Sequence, residues 1–125
     1  MTKGICGMGV LSAHAGADIK VVDIGIMSDY NNDKVYNRKI KYGTDNFAKG
    51  PAMSREEAIK AMEVGIEMVE MAVSEGYQIL GTGEMGIGNT SSTSAVFMAI
   101  TGESAENAVG KGADLQMKLL YIKSR

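Results

Sequence analysis

The chain has 125 residues, a formal charge of −2, 45% hydrophobic and 22% charged residues. This is the composition of a folded domain, and it offers no basic field for nucleic acid or for an anionic membrane surface. No apolar run approaches the roughly 18 residues of a membrane span, and no charged-then-apolar signal opens the chain. Tyrosines occur without tryptophan, and no basic-aromatic alternation suggests base stacking. The single cysteine, Cys6, excludes an internal disulfide and fits a reducing cytoplasm. Sixteen glycines against one proline predict many close backbone turns, as α/β enzymes have at strand ends.

In chain order, residues 4–16 read as a short helix. Residues 18–27, "DIKVVDIGIM", are β-branched with few polar interruptions, the pattern of a strand covered on both faces. Residues 28–53 are dense in Asn, Asp, Lys and Gly and read as a long loop. Within it Asp29-x-Asn31-x-Asp33 imitates the start of a calcium loop. The match collapses at Lys34, where glycine is needed, and at Ile40, where glutamate is needed.

Ser54 and Glu57 form a capping box, because the serine oxygen takes one orphan amide and the glutamate covers another. Ile59, Met62, Ile66, Val69 and Val73 then recur at spacings of three and four, one apolar stripe. Lys60, Glu63, Glu67 and Glu70 lie off it, and Gly76 can end the helix in the left-handed conformation. A helix over residues 55–75 follows, with the stripe expected to face the core. "YQILGTG" from Tyr77 reads as a second strand over residues 77–82. "SSTSAVFMAITG" reads as a helix starting near Thr90 or Ser91 and stopping at Gly102. The last eleven residues place Leu115, Leu119 and Ile122 on one helical face. Strand, long helix, strand, glycine loop, helix is a right-handed crossover unit, so the expected fold is α/β with a parallel sheet.

The glycine loop "GTGEMGIGNTSS" carries the chemistry. Gly81-x-Gly83-x-x-Gly86 matches a dinucleotide fingerprint, and Gly83-x-x-x-x-Gly88 before Asn89-Thr90 matches a Walker A loop lacking its lysine. Asn89 cannot supply the cation that a triphosphate requires. The dinucleotide reading needs a second strand ending in an acid about 20 positions on. Glu103 and Glu106 have the distance but follow a helix and a glycine. A monophosphate fits better than either: glycines permit close approach, helix-start amides point at an anion, and Thr90, Ser91 and Ser92 add hydroxyl donors. Glu84 opposes the ligand's charge, so it either orients the loop by accepting amides or binds a sugar hydroxyl beside the phosphate. His14 stands alone, Cys6 has nothing to mark it as a nucleophile, and the ten methionines read as core filler.

"GEMGIGNTS", preceded by "YGTDNFAKGPAMSREEA" and by "HAGADIKVVDIGI", resembles the nicotinate-nucleotide:dimethylbenzimidazole phosphoribosyltransferase family. Three separated motifs in the right order carry the resemblance from about Ser12 to Gly112. It implies transfer of the phosphoribosyl group of nicotinate mononucleotide to a benzimidazole-type base, giving nicotinate and an α-ribazole phosphate for the cobalamin lower ligand. It also implies a three-layer α/β/α Rossmann-like fold with a small helical domain, here partial within one domain over residues 1–125, and a homodimer. Glu84, Gly86, Gly88, Asn89, Thr90 and Ser91 then line the ribose-phosphate part of the site, with no metal or redox cofactor.

The family is nearly three times this length. Its base-binding residues fall upstream of Met1 and its general-base glutamate beyond the C-terminus, so no catalytic residue is assigned here and Glu84 does not take that role. Its phosphate-side lysine falls near Lys123, with Lys118 an alternative, in a stretch that departs from the family pattern. The expectation is an enzyme core that is inactive or very slow alone and self-associates in the cytoplasm. The alternative is a non-catalytic binding or assembly module, or one part of a split enzyme.

Overall fold

The computed structural model describes residues 6–29, 31–86 and 88–110. It divides into two compact units, Met1–Leu80 and Gly81–Arg125. The first unit holds α1 (Gly7–Ala15), β1 (Val21–Asp23), β2 (Val35–Asn37) and α2 (Arg55–Ser74); the second holds α3 (Asn89–Thr101) and α4 (Ala105–Ala108). The architecture is α/β, with a parallel sheet.

α1 ends as its glycine predicts. Gly16 adopts φ 65°, and the amides of Gly16 and Ala17 return to the carbonyls of Ala13 and Ser12. β1 pairs in parallel with β2, Val21 opposite Val35 and Asp23 opposite Asn37. The second strand therefore lies inside the stretch read as loop, whereas residues 77–82 form no strand among the described residues. The reason is physical. A strand exists through its neighbour's backbone groups, and "YQIL" finds no partner here, while the short "VYN" finds β1. Pairing continues past β2 as single bonds: Arg38 donates to the Asp23 carbonyl, Ile40 to Ile24 and Gly43 to Gly25, each at 2.9 Å. Gly43 sits at φ 71°, where a Cβ would also meet the Met27 sulfur, so this turn requires glycine.

α2 begins at the expected capping box: Ser54 Oγ accepts from the Glu57 amide at 3.1 Å, and the Glu57 carboxylate accepts from the Ser54 amide at 2.7 Å. It stops at Glu75, with Gly76 at φ 91°. The facing of this helix differs from expectation. Its covered side carries Ala58, Ala61, Val64, Met68, Met71 and Ala72. The stripe Ile59, Met62, Ile66, Val69 and Val73 lies on the other side and is 39–64% exposed. Three part-exposed ion pairs link this helix to the segment before it. Glu57 faces Lys41 at 3.7 Å, Glu67 takes both Nε and Nη2 of Arg38, and Glu75 accepts from Lys20 at 2.6 Å. The Arg38 hydrogen bonds hold the Glu67 carboxyl below its ordinary pKa. Lys20 also lies 5.6 Å and 5.5 Å from the ring centroids of Tyr36 and Tyr77, and the Tyr77 hydroxyl donates to Asp18. A helix apolar on two sides is the kind that larger proteins bury between layers.

In the second unit, α3 ends at Gly102 with φ 73°. α4 is capped by Ser104, and Ser94 Oγ donates to the Ala108 carbonyl at 3.1 Å, tying α4 to α3. The expected C-terminal helix, with Leu115, Leu119 and Ile122, lies outside the described residues.

Candidate functional site

The loop feeding α3 is shaped by glycine. Gly88 is the N-cap of α3 and sits at φ 79°, a left-handed backbone that side chains with a Cβ disfavour. Nothing approaches within 4 Å of the position its Cβ would take, so conformation rather than crowding within the chain requires glycine there. The turn closes with the Asn89 amide on the Gly86 carbonyl at 3.1 Å and the Ser91 amide on the Gly88 carbonyl at 3.0 Å. No side chain caps Gly88, and the first turn of α3 carries no acid.

Glu84 folds back over this turn. Its Oε2 accepts from the Asn89 side-chain amide, and its Oε1 lies where a Cβ on Gly86 would approach it to 3.1 Å. This contact ties the carboxylate to the loop, and Glu84 Oε1 has no hydrogen bond of its own among the described residues to set against a sugar hydroxyl. Glu84, Gly86, Gly88 and Asn89 are thus brought onto one turn. Thr90 and Ser91 follow on the helix, Ser91 half-buried and Thr90 exposed, with the Thr90 carbonyl accepting from Ser94 Oγ at 2.9 Å. Lys118 and Lys123 lie outside the described residues.

Glu103, the acid at dinucleotide distance, is occupied locally. It accepts from the Asn107 side chain at 2.8 Å and from the Ser104 amide at 3.0 Å. Those bonds, the Asn107 one first, hold its carboxyl below the ordinary range. It braces the start of α4 instead of ending a strand. Among the described residues, no group of three or more His, Cys, Asp or Glu side chains is placed to hold a metal ion, and no helix is long and apolar enough to cross a membrane. His14 is exposed in the last turn of α1.

Sequence reasoning missed a buried charge cluster at the end of β1. Asp23 is 2% exposed; its Oδ1 accepts from the Gly25 and Ile26 amides at 3.0 and 2.8 Å, and its Oδ2 faces Lys39 Nζ at 3.4 Å. The available signal was an aspartate inside a β-branched run, two residues before a glycine. Nothing local marked Lys39, one of several lysines in a polar stretch. Asp29, weighed as a calcium ligand, instead accepts from the Tyr42 hydroxyl at 2.7 Å.

The first unit holds a parallel α/β arrangement and the second a glycine loop that feeds a helix from a left-handed cap, and one family matches the whole chain. The chain belongs to the phosphoribosyltransferase family, whose model matches residues 1–125. Among its relatives, the nicotinate-nucleotide–dimethylbenzimidazole phosphoribosyltransferase of Clostridium tetani is 53% identical over 98% of this chain and 34% of that protein. The same-named protein of Acetivibrio thermocellus is 51% identical over 97% of this chain and 34% of its own length. The crystal structure of CobT from Thermus thermophilus superposes with a TM-score of 0.93 at 33% identity, covering 98% of this chain and 37% of that one. The resemblance carried by the three motifs is borne out, and the chain spans about a third of the length of the relatives it matches.

Proposed function

We propose that this chain carries the nucleotide-phosphate half of an enzyme that transfers the phosphoribosyl group of nicotinate mononucleotide to a benzimidazole-type base, yielding α-ribazole phosphate for the cobalamin lower ligand. The observation that carries this reading is near-full coverage of the chain at about 50% identity by proteins of that name, with the glycine loop inside the matched span. In this reading the 5′-phosphate sits at Gly86, Gly88, Asn89, Thr90 and Ser91, where glycine permits close backbone approach, the helix start favours an anion and the Thr90 and Ser91 hydroxyls can donate; the Asn89 and Ser91 amides close the turn itself. Glu84 holds Asn89 in place and meets the ribose. The setting is cytoplasmic, in keeping with a single cysteine.

The test is titration of the chain with nicotinate mononucleotide, with Gly88→Val and Glu84→Gln alongside. A β-branched residue at φ 79° is strained, and an L-residue in that region costs about 1–2 kcal/mol. Affinity should fall about tenfold or more as the turn reshapes. Glu84→Gln keeps an acceptor for Asn89 and should weaken binding less. Unchanged affinity in Gly88→Val removes the phosphate assignment.

The finer fold follows from the same reading: residues 1–125 are part of a three-layer Rossmann-like domain, in which "YQIL" and the exposed stripe of α2 are covered by further polypeptide. The two-sided apolar character of α2 supports this. Prepared as residues 1–125 alone, the polypeptide should self-associate through that exposed stripe. Light scattering that shows a compact monomer at micromolar concentration counts against it.

A further inference from the structure

We propose that the segment joining β1 to β2 is built around an internal monovalent-cation site which the Lys39 ammonium fills, and that a free ammonium or potassium ion takes the site when the lysine side chain is removed. Lys39 Nζ donates to the carbonyl oxygens of Ile26, at 3.0 Å, and Ser28, at 2.6 Å. Asp23 Oδ2 lies 3.4 Å away and Asp29 Oδ1 3.7 Å away. The face of the Tyr42 ring closes the cage, its centroid 4.3 Å from the nitrogen. The Lys39 side chain is only 9% exposed.

Every group pointed at this position is an electron-rich oxygen or a π face. Two carbonyl dipoles and the buried Asp23 carboxylate converge there, with the solvated Asp29 carboxylate, 85% exposed, at the rim, and without a positive charge between them the buried groups repel. The other partners of these acids are committed elsewhere. Asp23 Oδ1 accepts from the Gly25 and Ile26 amides, and Asp29 Oδ1 also accepts from the Tyr42 hydroxyl. The cation therefore links the end of β1 to the residues that follow β2.

The chemistry of the cage selects its occupant. The two carbonyl separations are hydrogen-bond distances for an ammonium. Carbonyl oxygens are also the ligands that replace the hydration shell of potassium. Magnesium demands a tight octahedron at about 2.0–2.1 Å and gives up its water reluctantly, so it fits poorly. A tetramethylammonium ion has no donor and is too bulky.

The experiment is thermal unfolding of the full chain as wild type, Lys39→Ala and Lys39→Met. Each is measured in the chlorides of ammonium, potassium, sodium and tetramethylammonium at one ionic strength. Wild type should melt at the same temperature in all four. Lys39→Ala should melt several degrees lower in tetramethylammonium and recover most of that loss, saturably, in ammonium or potassium. Lys39→Met, which fills the space with an uncharged chain, should stay low in every salt. Protection of the Gly25 and Ile26 amides from hydrogen exchange should follow the same order.

If Lys39→Ala is unfolded in tetramethylammonium, circular dichroism should report refolding in ammonium chloride, and failure to refold in any salt overturns the proposal. So does Lys39→Ala with wild-type stability, a response identical across the four cations, or equal rescue of Lys39→Met.

Discussion

Nicotinate mononucleotide should bind the isolated chain, while phosphoribosyl transfer by that chain alone should run at least about 10²–10⁴-fold below that of a full-length relative. Holding a phosphate takes a glycine turn and a helix start, both present in residues 81–91. Transfer takes more: the acceptor nitrogen must lose its proton and stand in line behind the ribose C1′. A positioned base supplies the factor quoted above, and aligning two substrates can supply effective molarities of about 10⁵–10⁸ M. The carboxylate in the loop, Glu84, is engaged with Asn89 and is poorly placed to act as that base. The matched relatives have about two thirds of their length outside this span. The measurement is single-turnover conversion with dimethylbenzimidazole, run beside the Clostridium tetani relative. Comparable turnover would show that the chemistry needs only these residues. Turnover restored by a separately made remainder of the relative would instead favour a split enzyme.

Asp23→Ala should destabilise the chain by about 3–5 kcal/mol, the usual consequence of removing one partner from a buried ion pair. The loss has two parts. Lys39 is left in its cage facing carbonyls without its nearest carboxylate, and the Gly25 and Ile26 amides lose their acceptor. A domain of this size has only about 5–15 kcal/mol in hand, so the variant should lose a large share of its stability. Asp23→Asn keeps an oxygen for the two amides and should cost less. Urea titration with the slope held in common checks both, and a loss below about 1 kcal/mol for Asp23→Ala would mean that the cluster is not holding the strand ends together. Coupling to Lys39→Met is expected: the double variant should be more stable than the two single losses summed, because neither charge is then left alone.

Much of this fold is legible in the sequence. The capping box at Ser54 and Glu57 and the glycines at positions 16, 76 and 102 mark helix ends because those signals are local, fixed by backbone geometry within a turn. The glycine loop was legible for the same reason, and with it the family. What escaped is tertiary. β2 is three residues in a polar stretch, visible only through its partner. The second apolar side of α2, with its alanines and Val64, is not marked by the bulky stripe, because amphipathic reading favours bulky residues; within this chain that side is the covered one and the stripe is exposed. The Asp23–Lys39 cage joins residues that no spacing rule links. The Glu84–Asn89 bond lay between these cases: the anomaly of an acid in an anion loop was evident, and its partner was not.

The three ion pairs along α2 also imply an order of assembly. Their sequence separations increase along the helix. Glu57 to Lys41 is the shortest, Glu67 to Arg38 spans 29 positions, and Glu75 to Lys20 spans 55. Formed independently, each doubling of a closed loop would add about 0.6 kcal/mol of entropic cost. Formed in sequence from the N-terminal end, each pair shortens the free chain that the next must capture. The helix would then seat itself as a zipper, from Glu57 toward Glu75. Mutations at the Glu57 end should therefore slow folding, while those at the Glu75 end should mainly hasten unfolding.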